Sequence, residues 1–170
     1  MAAGKTTAAQ LGAYICFEDE AGQGLRPPKG RTWAVRGARP RLHVWHGRKG
    51  EPKSFAWHEY RDLILAAHQQ LHAPLVWCWD NLNVHLCPQM KEFAEEHKEW
   101  LRVFQMPTYA PELNPAEGIW SLLKCSIANF VAADLGGLVR IVKRRLKKIQ
   151  FRPDLIDGCL AETGLVIEPP

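Results

Sequence analysis

VWCWDNLNVH, residues 76–85, and MPTYAPELNPAEGIWSLLK, residues 106–124, each bring one carboxylate to a structural edge. Residues 74–79 form a short, bulky apolar run closed by Asp-Asn, the pattern of a buried strand that ends at Asp80. In the second piece Asn114 suits a helix N-cap and Pro115 the first helical position, so Glu117 falls in the first turn. Taken singly, Asp-Asn after a strand is ordinary turn chemistry, and Asn114 to Glu117 resembles a capping box. Taken together, an acid at a strand end and an acid at a helix start can face one cleft. Close carboxylates repel unless a cation lies between them, and such oxygen ligands suit Mg²⁺ or Mn²⁺.

Working outward, residues 55–72 read as an amphipathic helix and residues 89–98 as a second. Residues 101–106 read as a strand, and residues 115–130 and 134–150 as two further helices. Upstream, residues 11–19 read as a strand, with Ile15, Phe17 and Asp19 on one face and Glu18 and Glu20 on the other. Residues 21–40 are rich in Gly, Pro and Arg and read as loop with a short extended piece around Trp33. Residues 41–46 are a second strand. Residues 1–10 read as a flexible start and residues 151–170 as a weakly structured tail. Strands linked by helices over residues 55–106 imply a parallel section, with the opening strands antiparallel beside it.

The chain has 170 residues, 46% of them hydrophobic and 24% charged, which suits one soluble domain with a core, here residues 11–150. The formal net charge of +4 permits a polyanionic partner without demanding one. No apolar run reaches the roughly 20 residues of a membrane span, and the first residues lack a signal-peptide core, so cytoplasm or nucleoid is expected. Five cysteines at spacings unlike a zinc site read as free thiols. His68 and His72, four apart on a helix, have metal-capable spacing but no evident third ligand. Cationic residues gather twice: in the loop with Lys29, Arg31 and Arg36, and on the last long helix with Lys143, Arg144 and Lys147. Each is either a solvated surface or a set of phosphate contacts.

Three segments in order, FEDEAGQGLRPPKGRTWAVRGARP, VWCWDNLNVH and YAPELNPAEGIWSLLK, resemble the catalytic domain of DDE-superfamily transposases, in particular bacterial insertion-sequence transposases related to the Tc/mariner group. The resemblance implies an α/β, ribonuclease-H-like mixed sheet flanked by helices. It implies that Asp19, Asp80 and Glu117 are the catalytic acids and hold two Mg²⁺ or Mn²⁺ ions for DNA hydrolysis and strand transfer. Asn81 and His85 match a recurrent motif of the family and are candidates to position DNA or the acids. Lys124, seven residues beyond Glu117 on the same helix face, is a candidate phosphate contact. Two departures mark this chain. Relatives carry an N-terminal helix-turn-helix region, whereas here the first catalytic strand begins at residue 11. RGARP also runs straight into RLHVWHG, so one strand of the opening antiparallel part is expected to be missing. The implied partners are DNA and either a second copy or a helix-turn-helix transposase subunit. The alternative to an active enzyme is a DNA-binding or assembly remnant without catalysis.

Overall fold

Residues Leu75–Trp79 are apolar and buried at every position, so this strand is covered on both faces. The computed structural model describes residues 2–22, 29–34, 43–44, 55–108, 110–127 and 134–164. The chain divides into two compact units. One comprises Met1–Glu18 and Gly47–Ala110, the other Asp19–His46 and Pro111–Pro170.

In the first unit β1 (Tyr14–Gly22), through Glu18, and β5 (Leu101–Gln105) flank β4 (Leu75–Trp79). Both pairings are parallel, with Tyr14 opposite Leu75, Phe17 opposite Cys78, and Trp79 opposite Gln105. Helix α1 (Ala2–Leu11) packs on β4, where a Cβ at Gly4 would lie 3.8 Å from Val76. Helix α2 (Trp57–Leu71) buries Tyr60, Leu63, Ile64 and Ala67 and sets the Tyr60 ring edge-on to Trp79, centroids 6.5 Å apart. Val76 and Trp79 point to opposite faces of a strand, so α1 and α2 cover opposite sides of β4. Burying such side chains contributes about 2 kcal/mol each. Helix α3 (Pro88–Glu96) starts with Pro at its first position and packs on α2 and β5. The carboxyl ends of β1, β4 and β5 all lie at one edge, where open α/β sheets carry functional groups.

In the second unit β2 (Lys29–Ala34) neighbours the end of β1 and pairs antiparallel with β3 (His43–Val44), Gly30 opposite Val44. A single 3-10 turn, Pro111–Leu113, leads into α4 (Pro115–Ile127). The buried Asn114 caps α4, its Oδ1 accepting the Ala116 amide at 3.1 Å. Helix α5 (Leu135–Gln150) is capped by Asp134 and buries Leu138, Val142, Leu146 and Ile149. Helix α6 (Pro153–Glu162) packs with α5 on α4.

Four expectations need correction. Residues 2–11 are not a flexible start but α1, which AAGKTTAAQL conceals because its apolar residues before Leu11 are all Ala and mark no large apolar face. Residues 153–162 are not loose tail. Pro153 opens a helix whose Ile156, Cys159 and Leu160 form a buried stripe. The first strand begins at Tyr14 and runs on to Gly22. Among the described residues the opening part holds three strands, not two, because KGRTWA is a full strand held by pairing rather than by apolar alternation; β3 is the short one.

Helices α4 and α6 meet at Gly118, where a Cβ would lie 2.8 Å from Cys159 Sγ and 3.0 Å from its Cβ. Gly118→Ala gains about 1 kcal/mol of helix propensity but suffers overpacking of about 1–3 kcal/mol. A net loss of about 1 kcal/mol is expected in urea unfolding, partly restored by adding Cys159→Ala, which removes the nearer atom.

Candidate active site

The segment after β4 folds back on itself through its own polar atoms. Asp80 Oδ1 accepts the Leu82 amide at 3.1 Å, an Asx turn. The Leu82 carbonyl then accepts the His85 amide at 2.9 Å. This turn returns the His85 ring to Asp80, with Nδ1 3.0 Å from Asp80 Oδ1 and 3.2 Å from the Asp80 carbonyl. The five-residue spacing from Asp80 to His85 is what the turn requires.

On its far side His85 Nε2 lies 3.2 Å from Glu18 Oε2. This approach is off the line of a straight hydrogen bond but is short enough for strong charge attraction. Register explains the meeting. Phe17 is level with Cys78, so Glu18 is level with Trp79, the residue that supports the histidine. The His85 ring stacks on Trp79 with centroids 4.3 Å apart and planes 5° from parallel. Tyr60 meets it edge-on at 4.6 Å. His85 is 3% exposed and Glu18 1%.

Both ring nitrogens face acceptors, so the network assigns a proton to each and makes the ring an imidazolium. Burial alone would push the His85 pKa down. The contacts with Asp80 and Glu18 overcome it and raise the pKa to about 9. The His85 contact likewise holds Asp80 below the usual carboxylate range, against partial burial, with the Leu82 amide helping. Asp80 is thus ionised at neutral pH.

The sign for stability follows from these shifts. A histidine raised from 6.5 to about 9 contributes stability that is complete below 6.5 and is lost as pH rises through about 9. In the presence of EDTA, unfolding free energy should fall by roughly 3 kcal/mol across that window. Urea unfolding at pH values spanning it checks this. A flat profile contradicts the assignment.

The other sequence candidates are placed as follows. Asn81 is a structural tie, its Nδ2 donating to the Met106 carbonyl at 2.9 Å and to Thr108 Oγ1 at 3.2 Å. It joins the segments that follow β4 and β5. His85 is buried, with one ring nitrogen against Asp80 and the other against Glu18. Asp19 is half-buried on β1 in the second unit, next in sequence to Glu18. Glu117 is exposed in the first turn of α4, also in the second unit. Within neither unit, among the described residues, do three His, Cys, Asp or Glu side chains cluster as a metal site. His68 is engaged elsewhere, stacked on Trp100 at 3.9 Å with Nδ1 against the Ala73 carbonyl.

Lys124, Lys143, Arg144 and Lys147 are all exposed. With the exposed Arg140, the last three stand at i, i+3, i+4 and i+7, one face of α5 away from its buried stripe. Lys29 and Arg31 lie on β2, and Arg36 falls outside the described residues. No described helix is long and apolar enough to cross a membrane.

Glu18 went unnoticed as a site residue because three acids in a row suggest a solvated turn. The available signal was alternation, which puts Glu18 on the face of Cys16, a buried position.

Comparison with known proteins adds the following. A family described as DDE superfamily endonuclease matches residues 51–135, half of the chain, and so takes in Asp80, His85 and Glu117. No curated protein matches in sequence. The fold is similar to two structures of the Mos1 transposase catalytic domain. One, with raltegravir and Mn, has a TM-score of 0.60 and 14% identity. The other, of the domain described as that of a mariner transposase, has a TM-score of 0.58 and 15% identity. Each similarity covers 91% of this chain and 84% of the other. A Mos1 paired-end complex with the left transposon end is similar at TM-score 0.58 and 14% identity, over 91% of this chain and 56% of that one. At such identities the likeness is one of fold. Joined to the family match, it identifies the chain as a ribonuclease-H-like domain that belongs to the DDE superfamily endonucleases.

Proposed function

We propose that this chain is the catalytic domain of a DNA transposase of the insertion-sequence type. It hydrolyses phosphodiester bonds at transposon ends and joins the freed 3′ ends to target DNA. Asp19, Asp80 and Glu117 are the proposed ligands of two divalent ions, Mg²⁺ or Mn²⁺. The observation that carries this reading is Asp80, an ionised carboxylate held in one orientation at the carboxyl edge of β4, within the family match. A carboxylate donor set suits hard cations, and the Mn in the Mos1 catalytic domain agrees with that chemistry. When bound, the ions supply positive charge that polarises the scissile phosphate and favours a deprotonated nucleophile. The chain's own part is to supply oriented oxygens: His85 and the Leu82 amide keep Asp80 ionised and in place, and α4 presents Glu117 in its exposed first turn.

DNA is the proposed partner, in keeping with the transposon end bound in the Mos1 complex. The exposed cations of α5, with Lys124, Lys29, Arg31 and Arg36, are its proposed backbone contacts. A second copy, or a subunit carrying a helix-turn-helix, would bring the two ends together. Replacing Lys143, Arg144 and Lys147 by Ala should weaken DNA binding regardless of sequence. It should also reduce the slope of log K against log salt by about 3. An unchanged slope removes α5 from the interface.

The test of function is nicking of supercoiled plasmid by the purified chain. Nicking with Mn²⁺ or Mg²⁺, none in EDTA and none with Glu117→Gln is the expected pattern. DNA retained but left uncut by the wild-type chain would instead favour a binding or assembly module.

A further inference from the structure

The two oxygens of Asp80 are not equivalent. Oδ1 accepts the Leu82 amide at 3.1 Å and pairs in charge with His85 Nδ1 at 3.0 Å, a nitrogen that also faces the Asp80 carbonyl at 3.2 Å. Oδ2 makes no hydrogen bond among the described residues, and the side chain is 49% exposed. His85 is fixed from every other side. Trp79 lies flat against it, Tyr60 meets it edge-on, and Glu18 holds its far nitrogen from a position with no solvent access. A buried carboxylate is costly, and apolar residues of like volume would serve stability as well. The pair therefore calls for a purpose other than stability.

We propose that Glu18 and His85 are positioning residues, which lock Asp80 through Oδ1 so that it meets a divalent cation through Oδ2 alone. The proposal rests on Asp80 being a metal ligand, as set out above. It adds a residue, Glu18, that neither touches substrate nor ligates metal, and it fixes which oxygen does the ligating. It is the carboxylate counterpart of the outer partners that orient metal-binding histidines. With Oδ1 held, Asp80 has no free rotation about its last bond, and the ligating oxygen sits at one defined point at the edge of β4. An unheld Asp80 would turn, or offer both oxygens to one ion.

The experiment measures Mn²⁺ affinity by electron paramagnetic resonance on folded protein, well below its melting temperature. The variant is Glu18→Leu with His85→Phe. It replaces both polar partners by apolar groups of similar shape, keeps a ring against Trp79, and leaves neither group stranded. A melting temperature near that of the wild type with Mn²⁺ affinity about tenfold weaker is the expected result. Affinity unchanged in that variant, while Asp80→Asn loses Mn²⁺, overturns the positioning role and leaves Asp80 as ligand. Affinity unchanged in Asp80→Asn itself overturns both readings. A second measurement needs no variant. In ¹⁵N-labelled wild-type protein, the His85 Nδ1–H resonance should persist when Mg²⁺ saturates the site. Its loss on Mg²⁺ binding would mean that the ion takes Oδ1 as well, and would overturn the proposal.

Discussion

His85→Phe alone is expected to lower stability by about 3–5 kcal/mol in urea or thermal unfolding. Phenylalanine keeps the ring against Trp79 and the edge contact with Tyr60, so little packing is lost. What disappears is the charge that faces Glu18 among the described residues, and Glu18 is 1% exposed. Breaking one side of a buried pair strands the other charge, and that penalty far exceeds the net value of the pair. Native domains are stable by only about 5–15 kcal/mol, so this single change brings the chain close to unfolding. Adding Glu18→Leu should recover most of the loss. A cost below about 1 kcal/mol for His85→Phe would show that Glu18 is hydrated and that the pair is not buried as described.

Asp80→Asn is expected to reduce metal-dependent DNA cleavage by at least about a hundredfold while leaving the fold intact. The amide oxygen of Asn can still accept the Leu82 amide and face His85, so the turn survives. The other position becomes an NH₂ group, a donor where a cation needs an acceptor. Fold and function should thus separate: melting in EDTA moves by a few degrees at most, whereas plasmid nicking in Mn²⁺ disappears. Nicking that survives the substitution would point to a contaminating nuclease or to a different site.

How much of this was legible in the residues differs by element. Strand β4 and helix α4 were readable because each carries its own signal: an unbroken apolar run closed by Asp-Asn, and Asn-Pro before an apolar stripe. Helices α2, α3 and α5 followed from their periodicity. Helices α1 and α6 did not, because each is ten residues long and held by tertiary packing rather than by a strong pattern of its own. Strand β2 was hidden for a related reason. KGRTWA has little apolar alternation, and its structure comes from the strands beside it. The acids at 80 and 117 stood out through their place at element ends. The burial of Glu18 did not, since the alternation that puts it with Cys16 and apart from Asp19 gives Glu20 the same face. Only the partner, His85, 67 positions away, explains why one acid of the three is inside.

The decisive measurement is iron-directed backbone cleavage. Fe²⁺ substituted for Mg²⁺, with ascorbate and peroxide, produces hydroxyl radicals that cut the chain beside the ligands of the ion. Cuts near Asp19, Asp80 and Glu117 together, all suppressed by excess Mg²⁺, are the predicted result, because three carboxylates distant in sequence then hold the same ions. Cuts confined to one of these segments, or cuts that Mg²⁺ leaves untouched, would contradict a shared metal centre and with it the proposed chemistry.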